Sequence, residues 1–403
     1  MALAPGPLGM SGWIALGASE NGGSAYPVWS PDGAHALMIG RLQGKDEATL
    51  ISSTGDVVRS YDQADYAVWL DNDRFLIISY GPGQGDRPNI GTVGTVGGSA
   101  LSSVDIPSGV ALSNGHGAVT FATLGFDYAS DCDFGCPLYH YRVWNGDETT
   151  DEQEGEPVAW SQDGSQLYVL HDVRNRKPDT GAPAAEDFIG WLEIFAMPDL
   201  RSVSQYPDTK IDDRAVALDP SGHFVSYEII GDTNGSETAH ILDLADGTDT
   251  SFNVFQRSFG WDNQQQMVVA PQLHDPLEAY GSDGERTYLK PVHGAATVYT
   301  AKSEFVGTLE DVGQSVSSSS DGKVVALYDE QFMNSFPFVT LYIDGQRTYV
   351  DPFPPLANSP PDDGYFFDCS VSSGSKAISA TCHLTQYGSV RDDYLTAIYP
   401  LAN

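Results

Sequence analysis

The chain has 403 residues, 41% hydrophobic and 19% charged, a globular composition with enough apolar material for a large core, which excludes disorder and collagen-like structure. Its 20 Lys and Arg stand against 55 Asp and Glu, a net charge of −35 that disfavours nucleic acid and anionic lipid surfaces and tolerates cations such as calcium. The 42 Gly and 24 Pro are scattered between short apolar runs, the punctuation of many tight turns joining many short strands.

The opening Met1 to Met10 lacks the basic region and continuous apolar run of an export leader, so an exported reading expects a mature or trimmed chain. Trp13-Ile-Ala-Leu16 is the first apolar run, with no neighbour in sequence to pair with. From Tyr26 onward a repeat begins. Tyr26-Pro-Val-Trp-Ser-Pro-Asp-Gly33 precedes the apolar Ala36-Leu-Met-Ile39, and Tyr66-Ala-Val-Trp-Leu-Asp-Asn-Asp73 precedes Phe75-Leu-Ile-Ile78. Val110-Ala-Leu-Ser-Asn-Gly115 and Pro157-Val-Ala-Trp-Ser-Gln-Asp-Gly164 continue the series. Weaker copies follow at Ala215 to Gly222, Phe259 to Asn263, Val316 to Gly322 and Cys369 to Gly374.

Each copy reads as a strand, a tight Asp-Gly or Ser-Gly turn whose Asp can cap it with its own side chain, and a second strand, with a Trp placed to pack between sheets. Third strands follow at Glu47 to Ile51, Leu138 to Val143, Trp191 to Phe195, Thr238 to Leu242 and Phe338 to Ile343, and fourth strands at Asp56 to Ser60 and Gln346 to Val350. Four short antiparallel strands per repeat make a β-propeller blade. The fold expected is all-β: one propeller domain over 1–403, repeats starting near 26, 66, 110, 157, 214, 257, 313 and 365. Eight blades of about 50 residues fit the usual repeat length better than seven of about 58. The last repeat lacks a fourth strand, and the run at Trp13 is expected to supply it and close the ring.

The Trp-Ser-Pro-Asp-Gly turn resembles the WD40-like repeat of TolB-type β-propellers, fully at Trp29 to Gly33 and nearly so at Trp160 to Gly164. Members of that family serve as periplasmic interaction modules, as propeller domains of peptidases and as some carbohydrate-active enzymes. The resemblance therefore implies a fold and leaves the activity open.

The chemistry is less legible. No Gly-x-Ser-x-Gly elbow, His-Glu-x-x-His helix or phosphate loop is present, and the glycine-rich Gly91 to Gly98 reads as a strand or hairpin. Cys132 with Cys136 and Cys369 with Cys382 read as two local disulfides, which points to an extracellular, cell-surface or periplasmic protein. Asp232, Asn234 and Ser236 alternate like the first half of a calcium loop, although a plain hairpin turn explains them too. Arg174, Arg176 and Lys177 form the one dense basic patch, in an insertion from Val173 to Asp187, and are candidates for contacting an acidic partner. Further insertions run from Tyr80 to Asn89 and Phe126 to Cys136. His171-Asp172 and His274-Asp275 lie where loops begin, placed to supply a metal or acid–base group.

No segment approaches the roughly 18 apolar residues of a membrane helix, so no membrane insertion is expected. The first functional reading is an exported, non-enzymatic scaffold that binds a protein or glycan through loops inserted on one face. The alternatives are a metal-assisted polysaccharide lyase or hydrolase at the central channel mouth, and a structural subunit of a cell-surface assembly.

Overall fold

A computed structural model describes residues 14–20, 26–42, 45–62, 64–79, 89–98, 102–127, 136–175, 188–212, 216–230, 237–254, 258–270, 278–280, 286–288, 294–313, 315–328, 331–333, 339–344, 346–349, 365–386 and 392–401. The fold is all-β, an eight-bladed β-propeller whose sheets are antiparallel and mostly four-stranded. In each blade the strands are called A to D in chain order. Strand A begins at Tyr26, Tyr66, Val110, Glu156, Val216, Phe259, Ser315 and Tyr365, in step with the repeat read from the sequence.

Blade 8 differs from the others. Its strands A to C are Tyr365–Ser373, Ala377–Gln386 and Asp392–Pro400, and its strand D is the N-terminal Ile14–Glu20, paired Ile14 to Ile398 through Glu20 to Asp393. The N-terminal strand thus completes the last blade, as expected. A fifth strand, Gln331–Met333, comes from the B–C connection of blade 7 and pairs beside strand A of blade 8. A separate hairpin, Glu278–Tyr280 with Arg286–Tyr288, stands in the B–C connection of blade 6. Neither is anticipated by the repeat. The glycine-rich Asn89–Thr95 is strand C of blade 2.

The A–B turns show why the repeat is so audible in the sequence. The Ser30 hydroxyl donates to Asp32 Oδ1 at 2.8 Å, the same oxygen accepts the Ala34 N–H at 3.1 Å, and Ser30 Oγ accepts the His35 N–H at 3.1 Å. Ser161 with Asp163, and Ser319 with Asp321, repeat these bonds in blades 4 and 7. In blades 5 and 6 a carboxylate takes the serine's place. Asp219 Oδ1 accepts the His223 and Phe224 N–H groups at 2.7 Å each, and Asp262 Oδ1 accepts those of Gln264 and Gln266 at 2.8 Å each. Asn114 does the same in blade 3 with its amide oxygen. A turn that satisfies its own backbone donors needs nothing from the rest of the chain, so its sequence is local.

By contacts the chain divides into two compact units, one holding blades 2 to 5 and the other blades 6, 7, 8 and 1. In the unit of blades 6, 7, 8 and 1, the Trp29 indole N–H donates to the Ser372 carbonyl of blade 8 at 3.2 Å. In the unit of blades 2 to 5, the Trp160 indole N–H donates to the Leu112 carbonyl of blade 3 at 3.1 Å. Alternation then sorts the strands of blade 4. Leu167, Val169 and Phe195 pack toward blade 3 with Tyr141 and Val143, whereas Tyr168, Leu170, Leu192 and Ile194 pack toward blade 5 with Val225 and Tyr227. Each fully buried side chain of this kind contributes about 1.5–3 kcal/mol. Among the described residues no helix is long and apolar enough to cross a membrane.

Candidate acid–base site

Antiparallel order places every B–C connection at the end of its sheet opposite the Ser/Asp turn. Most of the longer connections between strands leave at that end. In blade 4, strand B is Gln166–Asn175 and strand C is Phe188–Ala196. The insertion expected from Val173 is therefore shorter than the sequence suggests, because strand B runs on through Arg174, which pairs with Ile189. The continuation requires an irregularity. The register shifts between His171 and Arg174, and Asp172 there takes a left-handed φ of 51°.

The shift lies where the chemistry collects. His171 sits directly opposite Trp191, and their rings stack at 4.7 Å with 28° between planes. The Trp191 indole N–H donates to Asp172 Oδ2 at 3.1 Å. On the same face of strand C, two residues along, Glu193 is only 6% exposed. Its Oε1 accepts from Gln205 Nε2 at 2.8 Å, and its Oε2 stands 3.0 Å from His171 Nε2. That Nε2 is buried and has no hydrogen-bond partner, so the carboxylate lies close to it but out of line with an N–H.

Electrostatics follow from this packing. Burial pushes the His171 imidazole below its ordinary pKa, outweighing Glu193, Glu154 and Asp172, whose charges push it up. Tyr141 of blade 3 faces the same group, and its phenol is pushed well up by burial and then by the Glu193 charge. At neutral pH the arrangement is a neutral imidazole against a buried carboxylate. It can take up a proton and hold the resulting cation.

A second pair lies in blade 5. The Tyr227 hydroxyl donates to Asp249 Oδ2 at 2.5 Å, His240 Nδ1 lies 3.1 Å from Asp249 Oδ1, and the Tyr227 and His240 rings stack at 4.7 Å. Tyr227 is buried in the packing between blades 4 and 5, which makes this chiefly an interior contact.

The residues singled out from sequence fare unevenly. His171 and Asp172, on strand B, are brought together with Trp191 and Glu193, on strand C; none of the four stands on strand A, which lines the axis in a propeller. Glu193 was missed as a functional group. Its signal was a carboxylate alternating with Trp191 and Phe195 on an otherwise apolar strand face. Arg174 lies in strand B, while Arg176, Lys177, Asp232, Asn234, Ser236, His274, Asp275 and Cys132 lie outside the described residues. Cys136 begins strand C of blade 3, and Cys369 and Cys382 are directly opposed across strands A and B of blade 8. Among the described residues no group of three or more His, Cys, Asp or Glu is placed to hold a metal ion.

No protein-family model matches the sequence, and comparison with curated proteins finds no match either. Solved structures do match. Prolyl oligopeptidase B from Galerina marginata is 11% identical with a TM-score of 0.51, over 94% of this chain and 56% of that one, so this chain spans little more than half of it. An oligogalacturonate lyase in complex with manganese is 11% identical with a TM-score of 0.49, over 79% of this chain and 90% of that one. The tricorn protease is 10% identical with a TM-score of 0.48, over 86% of this chain and 36% of that one. At such identities the likeness is one of fold.

Proposed function

We propose that this chain is an enzyme that performs acid–base chemistry on a glycan, with His171 carrying the proton and Glu193 holding the imidazole and stabilising its charged form. The observation that carries the reading is the His171 and Glu193 pair itself, 3.0 Å apart beside Trp191 at the loop-bearing end of blade 4. A neutral imidazole beside a buried carboxylate can take up a proton and meet a counter-charge as the cation, which general-base catalysis uses. The net charge of −35 favours a neutral or amino-bearing glycan over a polyuronate, and hydrolysis over uronate elimination.

The test is a panel of neutral, amino and uronic glycans incubated with the wild-type chain, H171Q and E193Q, with product release followed by chromatography. Release by the wild type, lost in H171Q, supports the reading. No release from any glycan overturns it.

A second reading keeps the scaffold: an exported propeller that binds a protein or glycan through the B–C connections without turning it over. It is favoured by the end of the sheets at which those connections leave, and by a disulfide we propose between the opposed Cys369 and Cys382. Saturable glycan binding that survives in H171Q, without product, selects it.

A further inference from the structure

We propose that Asp172 and Trp191 are positioning residues for His171: the Asp172 carboxylate fixes the indole, and the indole plate fixes the imidazole against Glu193. The inference goes beyond the proposed chemistry, since it concerns how the imidazole is held whatever the group acts upon.

Three observations converge on it. Asp172 sits in the register shift of strand B with a left-handed φ of 51°, a conformation that a non-glycine residue adopts only at a cost. A regular strand would have carried the side chain of residue 172 to the face opposite His171. The irregularity instead lets its Oδ2 receive the Trp191 Nε1–H at 3.1 Å. Trp191 is then held flat against His171, ring centres 4.7 Å apart, while the Phe195 ring stands 6.1 Å from the same imidazole. Finally, strand C approaches unusually closely here: a Cβ on Gly190, next to Trp191, would stand 2.8 Å from the His171 carbonyl oxygen. Only glycine at 190 allows the indole and the imidazole to meet at this spacing.

The charged groups acting on His171 are Glu193 on strand C, Asp172 on its own strand and Glu154 from blade 3, while Tyr141 of blade 3 faces Glu193. Removing the Asp172 charge alone lowers the imidazole's affinity for a proton, whereas releasing the indole raises it by letting in water. These opposite signs make the test clean. D172N loses the charge but keeps an oxygen that accepts the indole N–H; D172A loses both.

The experiment is an NMR pH titration of the His171 ring in the full chain, for wild type, D172N, D172A and the same pair of substitutions in a W191F background. Asp172 is exposed, so both variants are expected to fold, and near-ultraviolet circular dichroism checks this. D172A is expected to titrate about half a pH unit or more above D172N, and the difference is expected to vanish with W191F, which has no N–H to hold. Identical titration of D172N and D172A with Trp191 in place overturns the proposal. The readout does not involve turnover, so its failure and the failure of the enzymatic reading are separate results.

Discussion

His171 Nε2 and Glu193 Oε2 are 3.0 Å apart across two neighbouring strands, yet the carboxylate lies out of line with the imidazole N–H. The pair lies in the regular register that sets His171 opposite Trp191, and alternation puts Glu193, two residues along strand C, on the same face toward blade 3. In its neutral form the imidazole is comfortable in its buried setting, and on gaining a proton it meets a ready counter-charge.

The pH dependence of stability follows from this. The folded pKa of His171 is lowered, so between that value and 6.5 the unfolded chain binds more protons than the folded one. Stability from the neutral imidazole is complete above 6.5 and is lost as the pH falls through the folded pKa. Thermal melting of wild type and H171Q from pH 8 to 5 is expected to show wild type losing more melting temperature in that window; parallel curves refute it.

The turn carboxylates are expected to split in sign. The Ser161 hydroxyl, with the Ser165 N–H and hydroxyl, holds Asp163 below the usual carboxylate range, whereas burial raises Asp262 against the two backbone N–H groups it accepts. D163N therefore lowers the melting temperature at pH 7, and the gap closes as the pH falls through the depressed pKa of Asp163. D262N is expected to hold or raise the melting temperature at pH 7, since Asn114 already caps the equivalent turn of blade 3, and to lose that gain in acid.

Trp160 tests the packing of blades 3 and 4. W160F removes the N–H bond to the Leu112 carbonyl, which still accepts the Thr120 hydroxyl, and is expected to cost about 1 kcal/mol in denaturant unfolding. W160A leaves a cavity among Tyr141, Leu167 and Val169 and is expected to cost about 3–5 kcal/mol. Equal costs would mean that the hydrogen bond, not the packing, joins the blades.

Directly opposed residues on antiparallel strands have the Cα spacing a disulfide requires. Peptide mapping without reductant is therefore expected to recover Cys369 joined to Cys382. Recovery of both as free thiols would remove the support for an oxidising compartment.

How much was legible depended on how far each signal had to reach. The Ser30, Asp32 and Gly33 turn is written in consecutive residues because its hydrogen bonds close within five positions, so the blade count follows from the sequence. The N-terminal strand was legible as an apolar run without a neighbour beside a repeat short of one strand. The pairing of His171 with Glu193 was not, because it is a diagonal contact between two strands joined by a long connection, which no local pattern announces. For the same reason Gln331–Met333 was not foreseen beside blade 8: it pairs with a strand of the next repeat rather than its own.

The most direct measurement of the central claim is a pH–rate profile on a turned-over glycan, set beside the NMR titration of His171 in the same buffer. The acid limb of kcat/KM is expected to coincide with the His171 titration and to move down with it in E193Q, which removes a charge that favours the protonated ring. An acid limb that stays put in E193Q, or activity that survives in H171Q, would contradict it.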